Sequence, residues 1–214
     1  MKKRAKWGIG CGAAAAVLAA AIAVFALLFE PVQLFLVPEV TEEDRLRQAE
    51  VIAAAAAQLQ DVEPTPGAVV TLRLTPAQVR SILHISLRQY ELREGVEALP
   101  FQLDYRDDGR WEILYMHETC RRLHYFGGLR LFLTGRFSVR GGTAAFAADS
   151  VAIGALRFSG KGAQLGVDAA MAEINRDESF ADFAAAIREF YTEETGNLVI
   201  SVVPEEFFWL MMKQ

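Results

Sequence analysis

The feature that most constrains this chain is an uncharged run over residues 7–29, preceded by Lys2, Lys3, Arg4 and Lys6. At about 1.5 Å per residue, a helix of that length reaches roughly 34 Å, enough to cross a hydrocarbon core of about 30 Å. Alanine dominates the run, and Val17, Leu18, Ile22, Val24, Phe25, Leu27, Leu28 and Phe29 carry most of its apolar weight. A cleaved signal peptide is the alternative, but its apolar core spans only about 7–15 residues. The residues after the run, 30–38, also lack a small-x-small cleavage pattern. Cys11 sits near the beginning of the run, whereas a lipobox cysteine would end it. Gly8, Gly10 and Gly12 either permit close helix–helix approach or are small residues of an alanine-rich span.

Charge sets the expected orientation. Basic residues precede the run, while Glu30, Glu39, Glu42, Glu43 and Asp44 follow it. Basic flanks are retained in the cytoplasm, so the body is expected outside it, with the N-terminus cytoplasmic. The chain has 22 basic and 27 acidic residues and a net charge of −5. Without the four basic residues of the tail, 18 basic stand against 27 acidic, or −9. An acidic body argues against nucleic acid as a partner. Of the 2 cysteines, only Cys120 lies beyond the run, so no disulfide framework is expected.

The expected organisation is a cytoplasmic tail over 1–6, a transmembrane helix over 7–29, a connector and alanine-rich helical stalk over 30–66, and one extracytoplasmic domain over 67–214. Thr41 followed by Glu42, Glu43 and Asp44 opens a helix running to about residue 60. Leu46, Ala49, Ala53 and Ala56 share one of its faces, which offers few large side chains for packing. After the break at 63–67, residues 69–74 alternate as a strand. Thr75, Pro76 and Gln78 then form a capping-box start to an amphipathic helix.

From residue 101 to 158 the apolar period is two. Phe101, Leu103 and Tyr105 alternate, Asp107-Asp108-Gly109 turns, and Trp111, Ile113 and Tyr115 resume. The clearest strand covers 129–139. Leu129, Leu131, Leu133, Phe137 and Val139 point one way, and Arg130, Thr134, Arg136, Ser138 and Arg140 the other. Gly141-Gly142 makes a tight turn into the next strand. Residues 160–166 are glycine-rich without the ending of a phosphate loop. Ser179 is expected to cap a helix over 179–195, with Phe180, Phe183, Ala184, Ile187 and Tyr191 near one face and Gly196 closing it. Residues 198–203 form a last strand, and an apolar turn with Phe207, Phe208, Trp209, Leu210, Met211 and Met212 follows. The fold class is α+β: a curved, mainly antiparallel sheet with two helices on one face.

The strand-to-helix passage Val70-Thr71-Leu72-Arg73-Leu74-Thr75-Pro76-Ala77-Gln78-Val79, the strands 131–139 and 150–156, and the segment 196–204 resemble the YpmS-like family of membrane-anchored bacterial proteins. That family is itself similar to the tubular lipid-binding (TULIP) superfamily. The resemblance covers roughly residues 69–212. It implies an envelope protein that binds lipid or another apolar ligand, and it implies no catalytic residues.

Candidate sites follow from the same patterns. The apolar face with Leu131, Leu133, Phe137 and Val139, with Phe183 and Ile187 of the following helix, is either a filled core or a groove for an acyl chain. Arg130, Arg136 and Arg140, extended by Arg121 and Arg122, are either an ordinary polar face or a patch for anionic head groups. On a helix, His117, Cys120, Arg121 and His124 would share a face and two imidazoles and a thiolate could hold zinc; on a strand the set is broken. The preceding alternation favours the strand, so no metal and no cofactor are expected. Asp107, Asp108, Glu112 and Glu118 read as solvated carboxylates rather than an acid–base pair, and no nucleophile elbow or Walker sequence is present. The expected function is therefore non-enzymatic. The alternative is an interaction or scaffold module for a membrane protein partner, suggested by the alanine-rich helix and the apolar C-terminal turn.

Overall fold

The computed structural model describes residues 29–30, 34–61, 67–117 and 128–205. Its elements are β1 (Phe29–Glu30), α1 (Glu42–Asp61), β2 (Val70–Leu74), α2 (Pro76–Glu94), β3 (Phe101–Tyr105), β4 (Trp111–His117) and β5 (Gly128–Arg140). They continue with β6 (Thr143–Ile153), β7 (Leu156–Ser159), α3 (Gly160–Ile174), α4 (Glu178–Ala186), β8 (Ile187–Thr192) and β9 (Leu198–Val202). Residues 7–28 of the uncharged run and the apolar C-terminal turn lie outside the described residues. Among the described helices none is long and apolar enough to cross a membrane.

The architecture is α+β, with an antiparallel sheet curled into a half-barrel and carrying helices. Strand β5 organises it. One edge of β5 pairs with β4 from Leu129 to Gly135, and further along with β8 at Val139 and Arg140. Its other edge pairs with β6 over Leu131–Arg140, and beyond the end of β6 with β1. The sheet thus divides into a β3–β4 leaf and a β8–β9–β2 leaf. The two leaves meet where the β3–β4 turn touches the β8–β9 turn. Tyr105 donates from its hydroxyl to Gly196 O at 2.9 Å, and a Cβ on Gly196 would lie 2.1 Å from Asp107 O. The Trp111 and Phe190 rings stack nearby, 6.2 Å between centroids.

The local signals at α2 form as expected. Gln78 N–H donates to Thr75 Oγ1 at 3.3 Å, and Thr75 N–H donates to Gln78 Oε1 at 3.0 Å. Gly95 closes the helix in the left-handed conformation. Helix α1 starts at Glu42, directly after Thr41, and belongs to the folded body rather than standing clear as a stalk. It lies along α2 and β2, and Ser81 Oγ donates to Asp44 Oδ1 at 2.6 Å. It turns Leu46, Ala49, Ile52, Ala53, Ala56 and Leu59 outward.

Two expectations are corrected. The helix expected over 179–195 stops at Ala186, because Ile187–Thr192 pairs with β9 as a strand. The side-chain spacing of Phe180, Ala184 and Ile187 fits a helix, but Ile187, Phe190, Tyr191 and Thr192 are β-formers with an open ladder beside them. The glycine-rich stretch at 160–166 is the first half of α3, which buries Ala163, Val167 and Met171. The described residues therefore hold four helices: α1 and α2 where expected, α4 shorter than expected, and α3, which was not expected.

The core lies on the face of β5 that carries Leu133, Phe137 and Val139. It joins Tyr105, Trp111, Phe146, Val167, Met171, Ala184, Ile187 and Leu198, with Val79 from α2.

Candidate functional site

Register places the expected apolar residues at two ends of one face. Val139 and Ile187 are buried at the packed end, with Phe137 against them. Phe183 belongs to α4, and its side chain is outside the described set. Leu133 pairs with Ile113 and Val151, and Leu131 with Tyr115 and Ile153, further toward β1. Leu156 continues the Leu131 row and Phe158 the Leu133 row.

Exposure rises along this face. Val139 and Tyr105 are 0% exposed, whereas Tyr115 is 36%, Leu156 38% and Phe158 41% exposed. Leu131, Leu133, Ile113, Val151 and Ile153 between them are half-buried. The face is a packed core at the β5–β6 turn and an open apolar strip at the opposite end. Leu131 and Leu133 were legible as members of it. Tyr115, Leu156 and Phe158 join only through the pairing of β4 and β7, which alternation within one strand does not specify.

The arginines do not converge. Arg130 pairs with Met116 at the open end, and Arg136 and Arg140 lie six and ten residues further along β5. At about 3.3 Å per residue, these are separations of roughly 20 and 33 Å. Arg136 is exposed and donates to Asp108 O at 3.5 Å; Arg140 lies over the Tyr191 ring at 5.3 Å. Arg121 and Arg122 lie outside the described residues.

His117 ends β4 on the strand, its Nδ1 3.4 Å from the Tyr115 hydroxyl. Glu118, Cys120 and His124 lie outside the described residues. Among the described residues, no three His, Cys, Asp or Glu side chains form a group able to hold a metal. The carboxylates of the β3–β4 turn are held by arginines. Arg80 Nη1 reaches Asp107 Oδ1 at 2.7 Å, Arg110 Nε reaches Asp108 Oδ2 at 2.7 Å, and Arg106 pairs with Glu112. The hydrogen bond from Arg110 lowers the Asp108 pKa against a smaller effect of burial.

Three further features lie elsewhere. A cleft of about 500 Å³ separates α1 from the β2–β9–β8 leaf, lined by Val51, Ala54, Gln58, Tyr191 and the hydroxyl pair Thr71–Ser201, 2.9 Å apart. Of the alanines of α1, Ala54 lines this cleft. Asp44 is buried between Ser81, Thr41 and His84. Ser81 donates directly to Asp44, and the imidazole does not stand between them, so the trio lacks the order of a nucleophilic relay. Trp111 Nε1 is buried with no acceptor among the described residues. The chain matches no family model, no curated protein and no solved structure.

Proposed function

We propose that this chain is a non-enzymatic envelope protein, anchored by its N-terminal run with the domain outside the cytoplasm, that binds a lipid acyl chain or another apolar ligand. The observation that carries this reading is the exposure gradient on the apolar face: buried at Val139 and Tyr105, open at Tyr115, Leu156 and Phe158. Leu131 and Leu133 form the floor of the open strip. The packed end, with Phe137, Val139 and Ile187, stops the chain from running further. Burying a methylene contributes about 0.8 kcal/mol, so six would contribute roughly 5 kcal/mol before the cost of immobilisation. The resemblance to the YpmS-like family and the tubular lipid-binding proteins agrees with this reading.

The test is mass spectrometry of organic extracts from the domain prepared without detergent, with Leu131→Asp as the control. Near-stoichiometric lipid, lost in the variant, is expected. An extract without lipid, together with no uptake of a fluorescent fatty acid, would overturn the reading.

A second reading is an interaction module. Ile52 is 61% and Leu59 49% exposed on the outward side of α1, with Ala49, Ala53 and Ala56 around them. Small residues let a partner helix approach closely. A membrane protein that co-purifies with the wild type and is lost with Ala53→Glu would support it; a monomer without a reproducible companion would count against it.

A further inference from the structure

We infer that the cleft between α1 and the β2–β9–β8 leaf is a binding site for a neutral saccharide. This goes beyond the lipid reading and does not depend on it, because the cleft opens on the other face of the leaf. Leu72, Leu74, Ile200 and Phe190 pack toward the core. Thr71, Arg73, Val199, Ser201, Glu189 and Tyr191 alternate with them along the three strands and line the cleft. Strand β2 contributes Leu72 and Leu74 to the lining as well, so the cleft reaches round the edge of that strand to α1.

Its volume, about 500 Å³, falls within the range of roughly 300–1,000 Å³ of small-molecule sites. The floor is rigid. Strand β9 is paired on both sides, and its Val199 and Ser201 are 4% and 6% exposed. The hydroxyls of Thr71 and Ser201 share one hydrogen bond of 2.9 Å. That bond uses only one of their two protons, so an O–H and several lone pairs are left for a ligand. Gln58 presents an amide from α1. Gln78 accepts from Thr75 N–H at 3.0 Å through its oxygen, which leaves its NH2 group to donate. Arg140 lies over the Tyr191 ring at 5.3 Å and fixes it as one wall. Val51 and Ala54 of α1 make an aliphatic wall.

Charge and hydrogen bonding select the ligand class. Arg73 is held by Glu193 at 2.8 Å, and Glu189 adds a carboxylate to the lining. An anion would meet that carboxylate, and the guanidinium of the lining is already paired. An acyl chain would leave the hydroxyls and amides without partners. A sugar ring fits both halves of the site. Its rim of hydroxyls donates and accepts, as the Thr71–Ser201 pair, the two amides and Glu189 require. Its C–H face is apolar and suits the Tyr191 ring and the aliphatic wall.

The test titrates the isotope-labelled full chain, kept free of sugar-headed detergent, with maltose, lactose, cellobiose and N,N′-diacetylchitobiose. At least one of them is expected to shift the backbone amide signals of Thr71, Ser201 and Tyr191, with a Kd of about 1 mM or tighter. Gln58→Ala and Tyr191→Ala should each weaken binding roughly tenfold, with uptake of a fluorescent fatty acid unchanged. Gln58→Ala changes a half-buried helix position and keeps the test decisive should Tyr191→Ala fail to fold. No shift with any of the sugars would overturn the inference, as would binding that Gln58→Ala leaves unchanged. Shifts at these amides with inorganic phosphate alone would overturn the neutral class. Shifts with a Thr-Val-Thr-Val-Thr peptide alone would replace the sugar by a strand added to the edge of β2. A disaccharide displaced by the fatty acid would overturn the separation of this cleft from the apolar strip.

Discussion

Asp44 shows how one buried carboxylate fixes a helix to its neighbour. It accepts from Thr41 N–H at 3.0 Å and from Thr41 Oγ1 at 2.8 Å, and its own N–H donates to Thr41 Oγ1 at 3.2 Å. Burial alone would raise its pKa, but the hydrogen bonds from Ser81 and Thr41 and the nearby His84 lower it to about 2, from an ordinary 3.8. A folded value below the unfolded one means that the contribution to stability is complete above about pH 4. It is lost as the pH falls toward 2. Asp44→Ala should cost about 2–3 kcal/mol at pH 7, from the lost cap and the stranded Ser81 hydroxyl. Urea unfolding of both proteins from pH 6 to pH 2 should show the difference shrinking in that window; parallel curves would refute the assignment. Gly196 is a second single-residue constraint. Its φ is +85°, and a Cβ would meet a backbone oxygen that cannot move aside. Gly142 has φ +76° but open space around it. Gly142→Ala should cost about 1–2 kcal/mol, the ordinary left-handed penalty, and Gly196→Ala clearly more. Equal melting temperatures for the two variants would contradict the docking of the two turns.

At the scale of elements, the free edge of β6 explains why α3 exists. Strand β7 pairs only with Ser150–Ile153, so the edge of the first half of β6 that faces away from β5 has no strand beside it among the described residues. Two amide side chains of the α3 segment take that place. Gln164 accepts from Ala148 N–H and donates to Phe146 O, both at 2.9 Å; Asn175 accepts from Ala144 N–H and donates to Ala144 O, both at 2.8 Å. Eleven residues apart, the two amides return to one side of the helix after about three turns. Asn175→Ala should cost about 1–3 kcal/mol, because it strands a buried N–H and C=O at once. The double variant with Gln164→Ala should expose an edge and self-associate, which sedimentation would detect as dimers absent from the wild type. These contacts also show what was legible in the sequence. The capping box at Thr75 and Gln78 is local chemistry and was readable. So was the alternation of β5, because it answers to one core. Helix α3 was hidden, since Gly160, Gly162 and Gly166 each disfavour a helix by about 1 kcal/mol relative to alanine and the compensation comes from β6. Strand β8 was hidden for the same kind of reason: Ile187–Thr192 becomes a strand only where β9 and β5 offer ladders. On the open apolar face, Leu131 and Leu133 were readable as neighbours, whereas Tyr115, Leu156 and Phe158 required the register of three strands.

Taken whole, the molecule depends on contacts between distant parts of the chain. Strand β9 lies between β2 and β8, with Val70 opposite Val202 and Ile187 opposite the same residue. Without β9, strand β2 loses its partner, and α1 and α2 lose the leaf they cover. The effect should not stop at that leaf. Tyr105 on β3 is completely buried and gives its hydroxyl to Gly196 in the turn before β9. Trp111 on β4 packs against both Tyr105 and Phe190. The β3–β4 leaf therefore loses its aromatic packing along with the turn. A chain ending at residue 196 should consequently lose its near-ultraviolet circular dichroism entirely and unfold without a cooperative transition. Leu198→Ala, a milder change at a buried position of the same strand, should cost about 2–5 kcal/mol with an unchanged denaturant slope. Should the truncated chain retain a cooperative transition, β3 to β6 would form a unit of their own, and the closure of the half-barrel through its two turns would not be what makes the domain one body. Because so many of these pairings join residues far apart in sequence, refolding should take milliseconds to seconds rather than microseconds. A stopped-flow phase in that range, slowed by Leu198→Ala, would place β9 pairing within the rate-limiting step.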